Sequence, residues 1–415
     1  MKKKTIVIIQ FYWRICPITT NLIKTLVEKG YKIIFFGYNS DTKLVDMNPL
    51  EKMGVEFYLD NVLEARKIEK LYNNFLQYVF NKVYKILVKK NRFILEKFLK
   101  FIPDNSIVQT KIIELIKKKI EKKSNELLAV IGIEKQGLIY AAEIAEYFNV
   151  SSVYYSLELY TDNHPFVQKN IFRAKLTELE KKYHKKCSAT IIQDNDRAEL
   201  LFSNNNVSNK KIFMPVYSKG SIIKTKHNYF YRKFNIPENK KIILYFGVII
   251  FSRLIKELIE FFECVDQEKY VLVIHGPLMF DIVKYNFSEN IYISEDLVDE
   301  DRIFDLVSSA YIGIAIYRQV TDNEKLTAFS STKIAQYFRC GIPVITWNNF
   351  NYQRLMSEFQ CGELIDSFEH LNTAVNKISL NYDKYKIAAF SAYNKYYNID
   401  TTIENLTSFL GKFEE

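Results

Sequence analysis

Short apolar runs alternate with stretches whose apolar residues recur at helical spacing, first over residues 5–203 and again from residue 241 onward. The pattern predicts strands over residues 5–11, 31–37 and 55–59, with a helix over 19–29 that Gly30 ends. After a basic helical stretch it predicts strands at 127–133, 153–156 and 189–193. Helices over 136–148 and 171–187 separate them, and another covers 197–203. Residues 215–240 break the rhythm with Pro, Ser, His and Asn. The alternation then restarts, with strands at 241–246, 270–274, 290–293 and 311–316 and helices at 253–264 and 301–309. Strands separated by helices imply parallel sheets covered on both faces.

The predicted fold is α/β, with two tandem Rossmann-like domains facing each other across a cleft. The boundaries read as 1–218 for the first domain, 219–240 for a link and 241–395 for the second domain. Residues 396–415 form a C-terminal helix returning to the first domain. A ligand is expected at the carboxyl ends of the strands, between the domains.

The segment Ser330-Ser331-Thr332-Lys333-Ile334-Ala335-Gln336-Tyr337-Phe338-Arg339-Cys340-Gly341-Ile342-Pro343-Val344-Ile345-Thr346 concentrates the candidate chemistry. Hydroxyl side chains at 330–332 suit a helix N-cap, Gly341 suits its end, and residues from Pro343 onward read as a buried strand. A Lys and free backbone N–H groups at the positive end of a helix form a seat for an anion such as a diphosphate. Gly247 and Arg253 add a close backbone approach and a bidentate phosphate partner in the same domain.

Composition adds one asymmetry. Residues 62–124 carry 16 Lys+Arg against 6 Asp+Glu, and the remaining 42 and 42 cancel, so this stretch holds the whole net charge of +10. Its apolar residues recur at helical spacing, which fits either an adhesive for anionic lipid or a solvated face over ordinary core. No nucleic-acid motif accompanies it, so nucleic acid is not expected as a partner. The apolar run after Lys2-Lys3-Lys4 is too short for a signal peptide, and no window is long enough to span a membrane. The 5 Cys show no paired spacing, so disulfides and zinc are not expected, and a cytoplasmic protein, peripheral on the inner membrane face, is.

The order of motifs in the second domain resembles GT-B glycosyltransferases, close to the family 4-like retaining enzymes. Carrying the resemblance are Gly247, Arg253 and Leu258-Ile259-Glu260, residues 271–276 and 310–317, Ser330 to Lys333, Gln336-Tyr337, and Cys340 to Ile345. The first domain matches more loosely at residues 131–138, 154–159 and 192–194. The resemblance implies that Arg253 and Lys333 hold the diphosphate of a nucleotide-sugar donor, with Ser330, Ser331 and Thr332 presenting hydroxyl and N–H groups. It places His275, Gly276 and residues 294–297 beside the base, and Tyr317, Asn323 and Gln336 toward the sugar. The chain departs from the family at Ala328 and Gln336, where paired acids are common, and at Val248, where an Arg is frequent. Retention or inversion is therefore not assigned.

Such a reaction displaces a nucleoside diphosphate through an oxocarbenium-like transition state. Preorganised cations and N–H groups aimed at the departing charge suffice without a metal or a cofactor. Asp194-Asn195-Asp196 and Asp299-Glu300-Asp301 each precede a predicted helix and read as caps rather than ion ligands. Glu134 and Glu158 are the candidates for orienting or deprotonating an acceptor hydroxyl, with Glu158 preferred. Of His164, His184, His227, His275 and His370, only His275 is expected at a site; the rest read as surface residues.

The expected activity is transfer of a hexosyl group from a nucleotide sugar to a glycan or lipid-linked acceptor in surface polysaccharide synthesis. A nucleotide-sugar 2-epimerase and a non-catalytic adaptor on the same fold are the alternatives.

Overall fold

A computed structural model describes residues 4–11, 15–37, 48–58, 82, 99–100, 104, 110–249, 254–279, 288–296, 298 and 302–413. The chain divides into two compact units, Met1–Met214 with Ile403–Glu415, and Pro215–Thr402.

The first unit is a seven-stranded sheet in the order β3-β2-β1-β4-β5-β6-β7. The strands are β1 (Thr5–Gln10), β2 (Lys32–Gly37), β3 (Glu56–Tyr58), β4 (Leu127–Ile133), β5 (Ser151–Tyr155), β6 (Ala189–Ile192) and β7 (Lys210–Phe213). Every neighbouring pair is parallel. Helices cover both faces, so β1 and β4 are buried along their whole length and read as unbroken apolar runs. The helix Glu404–Leu410 closes this unit. Asn405 Nδ2 donates to Phe213 O at 2.8 Å, and Glu404 pairs with Lys29.

The second unit is a six-stranded parallel sheet in the order β10-β9-β8-β11-β12-β13. It comprises β8 (Lys241–Phe246), β9 (Tyr270–His275), β10 (Ile291–Ser294), β11 (Ile312–Ile314), β12 (Val344–Trp347) and β13 (Gly362–Ile365). One face packs on the helices Thr332–Arg339 and Tyr382–Ala392, the other on Ile255–Phe262 and Leu371–Leu380.

The stretch 219–240, expected as a link, lies in this second unit. It contains the helix Tyr229–Phe234, whose Phe230 is fully buried in the core. Residues 396–402 also belong to the second unit, and only 403–415 to the first.

Most of the basic stretch 62–124 lies outside the described residues. In the part that is described, the helix Thr110–Ile120 buries Ile112, Ile113, Ile116 and Ile120, and Lys117, Lys118 and Lys119 crowd its last turn. Its apolar stripe is used in the core, packed against the helix Glu134–Phe148. Among the described residues, no helix is long and apolar enough to cross a membrane.

Candidate functional site

In an open parallel sheet the strand order reverses at one point, and loops leaving the carboxyl ends there diverge to leave a crevice. In the second unit that point lies between β8 and β11. Two glycine turns stand beside it. Gly247 follows β8 with φ 127°, and Gly276 follows β9 with φ 140°. Gly276 N donates to Ser294 O at 2.8 Å and Gly247 N to His275 O at 2.9 Å, so the turns are fastened backbone to backbone. A Cβ on Gly276 would lie 2.1 Å from Gly247 O. Gly276→Ala is therefore expected to cost at least about 1–3 kcal/mol, read as a lower Tm in a thermal melt; an unchanged Tm contradicts this geometry.

His275 is buried, with Nδ1 and Ser294 Oγ 3.0 Å apart. Burial pushes its imidazole down to about 4, so the ring is neutral at pH 7. Beyond Ser294, Asp296 accepts from Tyr229 OH at 2.6 Å and pairs with Lys233, which ties the turn to the helix Tyr229–Phe234.

The helix Thr332–Arg339 starts on the other side of the switch point. Its pattern explains its seating: Ile334, Ala335, Tyr337 and Phe338 are buried, and Tyr337 OH donates to Leu244 O in β8 at 2.6 Å. Ser331 is the N-cap, its Oγ accepting from Ile334 N at 3.4 Å and lying 2.5 Å from Tyr317 OH. Ser330 Oγ donates to Leu326 O at 2.8 Å. Both hydroxyls take part in the turn itself, and Thr332 is half-buried at the first helical position. Lys333 is buried, with Nζ 3.9 Å from the centroid of the Tyr245 ring and 5.2 Å from that of Tyr317. A buried ammonium over two ring faces, at the positive end of a helix, is a concentrated positive site.

The other candidates divide. Gln336 is half-buried one turn along the same helix. Asn323 lies in the short helix Asp322–Lys325, which a capping box of Thr321 and Glu324 holds. Ala328 is fully buried; its N–H donates to Asn351 Oδ1 at 2.9 Å and its carbonyl accepts from Tyr397 OH at 2.8 Å. An acid there would be placed in the core. Arg253, Leu297 and the Asp299-Glu300-Asp301 triplet lie outside the described residues.

In the first unit the strand order reverses between β1 and β4, and Glu134 stands at the end of β4. It opens the helix Glu134–Phe148 with φ 60°, a left-handed conformation uncommon for a residue with a side chain. Gly132 and Gly137 make the sharp turn possible: a Cβ on Gly132 would lie 2.4 Å from Gly137 O, and one on Gly137 2.4 Å from Ile9 O. The Glu134 carboxylate is buried and accepts from Leu157 N at 2.7 Å and Glu158 N at 2.8 Å. Burial first, then the charge of Glu158, pushes it up to about 8. Glu158, the carboxylate preferred from sequence, is itself half-exposed.

Sequence reasoning missed the groups behind Glu134. Lys135 Nζ donates to Tyr160 O at 2.6 Å and Thr177 Oγ1 at 2.8 Å, and lies 2.7 Å from Glu180. Tyr154 OH donates to the same Glu180 at 2.7 Å. Buried Arg197 donates to Leu157 O at 2.7 Å, which braces the loop that holds Glu134. Asp194 caps the next helix by accepting from Arg197 N, as its spacing implied.

Two histidines read as surface residues are buried. His164 lies against Tyr160, and His184 packs on Tyr154 with Nε2 2.6 Å from Thr190 Oγ1. Their neighbours in sequence are polar, but the helix Ile171–His184 turns its last residue inward. Among the described residues, no group of three or more His, Cys, Asp or Glu could hold a metal ion.

Comparison with solved structures supports this architecture over the whole chain. The protein HepE of Anabaena, in complex with UDP, superposes with a TM-score of 0.66 at 12% identity, covering 98% of this chain and 100% of that one. The fold is GT-B. A sucrose-phosphate synthase of Thermosynechococcus elongatus superposes with a TM-score of 0.65 at 12% identity, covering 99% of each chain. A glycosyltransferase of Rickettsia africae gives 0.65 at 14% identity, over 100% of this chain and 99% of that one. Residues 283–395 match the family described as glucosyltransferase 3-like, C-terminal domain. No protein of curated function matches the sequence. In this GT-B chain the segment around Lys333 falls within the family match, whereas Glu134 falls outside it.

Proposed function

We propose that the chain is a glycosyltransferase that moves a hexosyl group from a nucleoside-diphosphate sugar to a hydroxyl of a glycan or lipid-linked acceptor, in surface polysaccharide synthesis. The observation that carries this reading is the Lys333 ammonium seated over Tyr245 and Tyr317 at the start of the helix Thr332–Arg339, beside the β8/β11 switch point. The complexes of HepE with UDP and with UDP-glucose support the choice of donor.

In the proposed reaction the bond between the anomeric carbon and the diphosphate oxygen breaks, and the acceptor oxygen bonds to that carbon. The acceptor proton passes to a carboxylate, and Glu134, which burial pushes up to about 8, is the acceptor in this proposal. The charge that grows on the leaving diphosphate is met by Lys333, Arg253 and the first N–H groups of the helix. This assignment uses no metal or cofactor.

The test is a thermal melt of the full chain with UDP and with UDP-hexoses, since a ligand that binds only the folded state raises Tm. UDP and at least one UDP-hexose are expected to raise it, and no shift with any nucleotide contradicts the reading. Incubating the stabilising donor without acceptor then separates transfer from epimerisation: a 2-epimerase alters the sugar, a transferase leaves it intact.

A further inference from the structure

At the other end of the second sheet, where the parallel strands begin, a cavity of about 270 Å³ opens beside Lys241 at the start of β8 and Tyr311 just before β11. Five lysines line it, Lys224, Lys226, Lys240, Lys241 and Lys386, against the single carboxylate of Glu238. Lys240 is engaged, donating to Gln267 O at 3.0 Å and Asn290 Oδ1 at 2.5 Å. Lys241 donates to Tyr311 OH at 3.2 Å. Among the described residues, no carboxylate forms an ion pair with Lys224, Lys226, Lys241 or Lys386, although surface lysines elsewhere in the unit, such as Lys233 and Lys395, have one.

Five like charges with one carboxylate among them repel, and more strongly where water is partly excluded. Lys226 shows the effect although the residue is exposed: partial loss of solvent around its amine, then the charges of Lys386 and Lys241, pull its pKa down. The wall is aromatic. Tyr311 and Tyr382 stack with centroids 3.9 Å apart, and burial keeps the Tyr382 hydroxyl protonated and able to donate.

We infer that this cavity binds a phosphate-bearing ligand at a second site, separate from the one around Lys333. Five lysines grouped around a small space suit a multiply charged oxyanion, whose oxygens can accept from more than one ammonium group. A neutral sugar would leave the cations uncompensated. The phosphate has two sources, a free phosphate compound or the headgroup of an anionic lipid, and the cavity chemistry is the same for both.

Brief acetylation of the full chain, with modification read at each lysine by mass spectrometry, tests the inference. Lys226, made more nucleophilic by its lowered pKa, is expected to react early. Inorganic pyrophosphate is one probe, and vesicles of phosphatidylcholine with phosphatidylglycerol are the other, with pure phosphatidylcholine vesicles as reference. Severalfold slower acetylation of Lys226 and Lys386, in wild type and in Lys333→Met alike, supports the site. Protection by pyrophosphate marks a soluble ligand, and protection by the anionic vesicles alone marks a headgroup. Failure of both probes to protect, or protection that disappears in Lys333→Met, overturns the inference. As a second reading where pyrophosphate protects, adding Lys226→Ala and Lys386→Ala to the Lys333→Met chain should abolish the rise in Tm that pyrophosphate produces in Lys333→Met alone; a rise that persists counts against the site.

Discussion

Lys333→Met is expected to slow sugar transfer by ~10²–10³-fold and to weaken UDP binding, while Tm stays level or rises. Methionine is close to lysine in length, removes the ammonium that lies over Tyr245 and Tyr317, and puts an apolar thioether chain in its place. Holding a cation in a buried position costs desolvation energy that the native chain carries. The neutral variant is free of that cost, so a fold that loses no stability and an affinity that drops sharply are two readings of one cause. Calorimetric titration of UDP beside a thermal melt checks both. A variant that melts early would mean that Lys333 belongs to the core, and unchanged UDP affinity would remove it from the site.

Glu134→Gln should lower turnover by ~10²–10⁴-fold, the range for loss of a positioned proton acceptor. The amide keeps an oxygen for the N–H groups of Leu157 and Glu158, so the loop position is preserved. The same substitution has an opposite effect on stability. The folded carboxyl is pushed up to about 8 from 4.5. Between those values the folded state holds a proton that the unfolded chain has lost, so wild-type stability falls as pH rises through that window. Above pH 8 both states are ionised and the deficit stays constant. The amide variant has no ionisable group at this position, so it should melt above wild type at pH 9 and close to it at pH 4. Wild-type turnover should rise as pH passes 8, and a flat profile across that range excludes Glu134 as the acceptor of the proton.

What could be read in the chain beforehand depended on how locally each feature is determined. β1 and β4 were legible because strands buried on both faces must be apolar at every position. The Ser331 cap and the helix behind it were legible because capping chemistry and a helical stripe lie within about ten residues. β7 was not, since an edge strand of Lys210, Lys211, Ile212 and Phe213 has a single buried residue and no alternation to detect. β13 was also overlooked: it is an edge strand of four residues with two half-buried positions. The helix Tyr229–Phe234 was hidden in a polar stretch because it is six residues long and buries only Phe230 fully, with Tyr229, Tyr231 and Phe234 partly buried against the same core.

At the candidate site the limit was burial. Sequence placed Glu134 and Glu158 near strand ends but could not say that Glu134 would be desolvated, which is what pushes its carboxyl up to about 8. Arg197, Lys135 and His184 carry no motif. Their roles come from partners 40 and 42 residues away or from a helix end turned inward. The lysines of the cavity come from residues 224–241 and from Lys386, and they meet Tyr311 and Tyr382 only when the sheet has folded.

The central claim is that the turn leading into the helix Thr332–Arg339 receives the diphosphate of the donor. Hydrogen–deuterium exchange of the full chain with and without UDP tests it most directly. The account predicts slower exchange of the amides at residues 331–334 and of the Gly247 and Gly276 turns when UDP is bound. Protection confined to other segments, with these amides exchanging as fast as before, would contradict it.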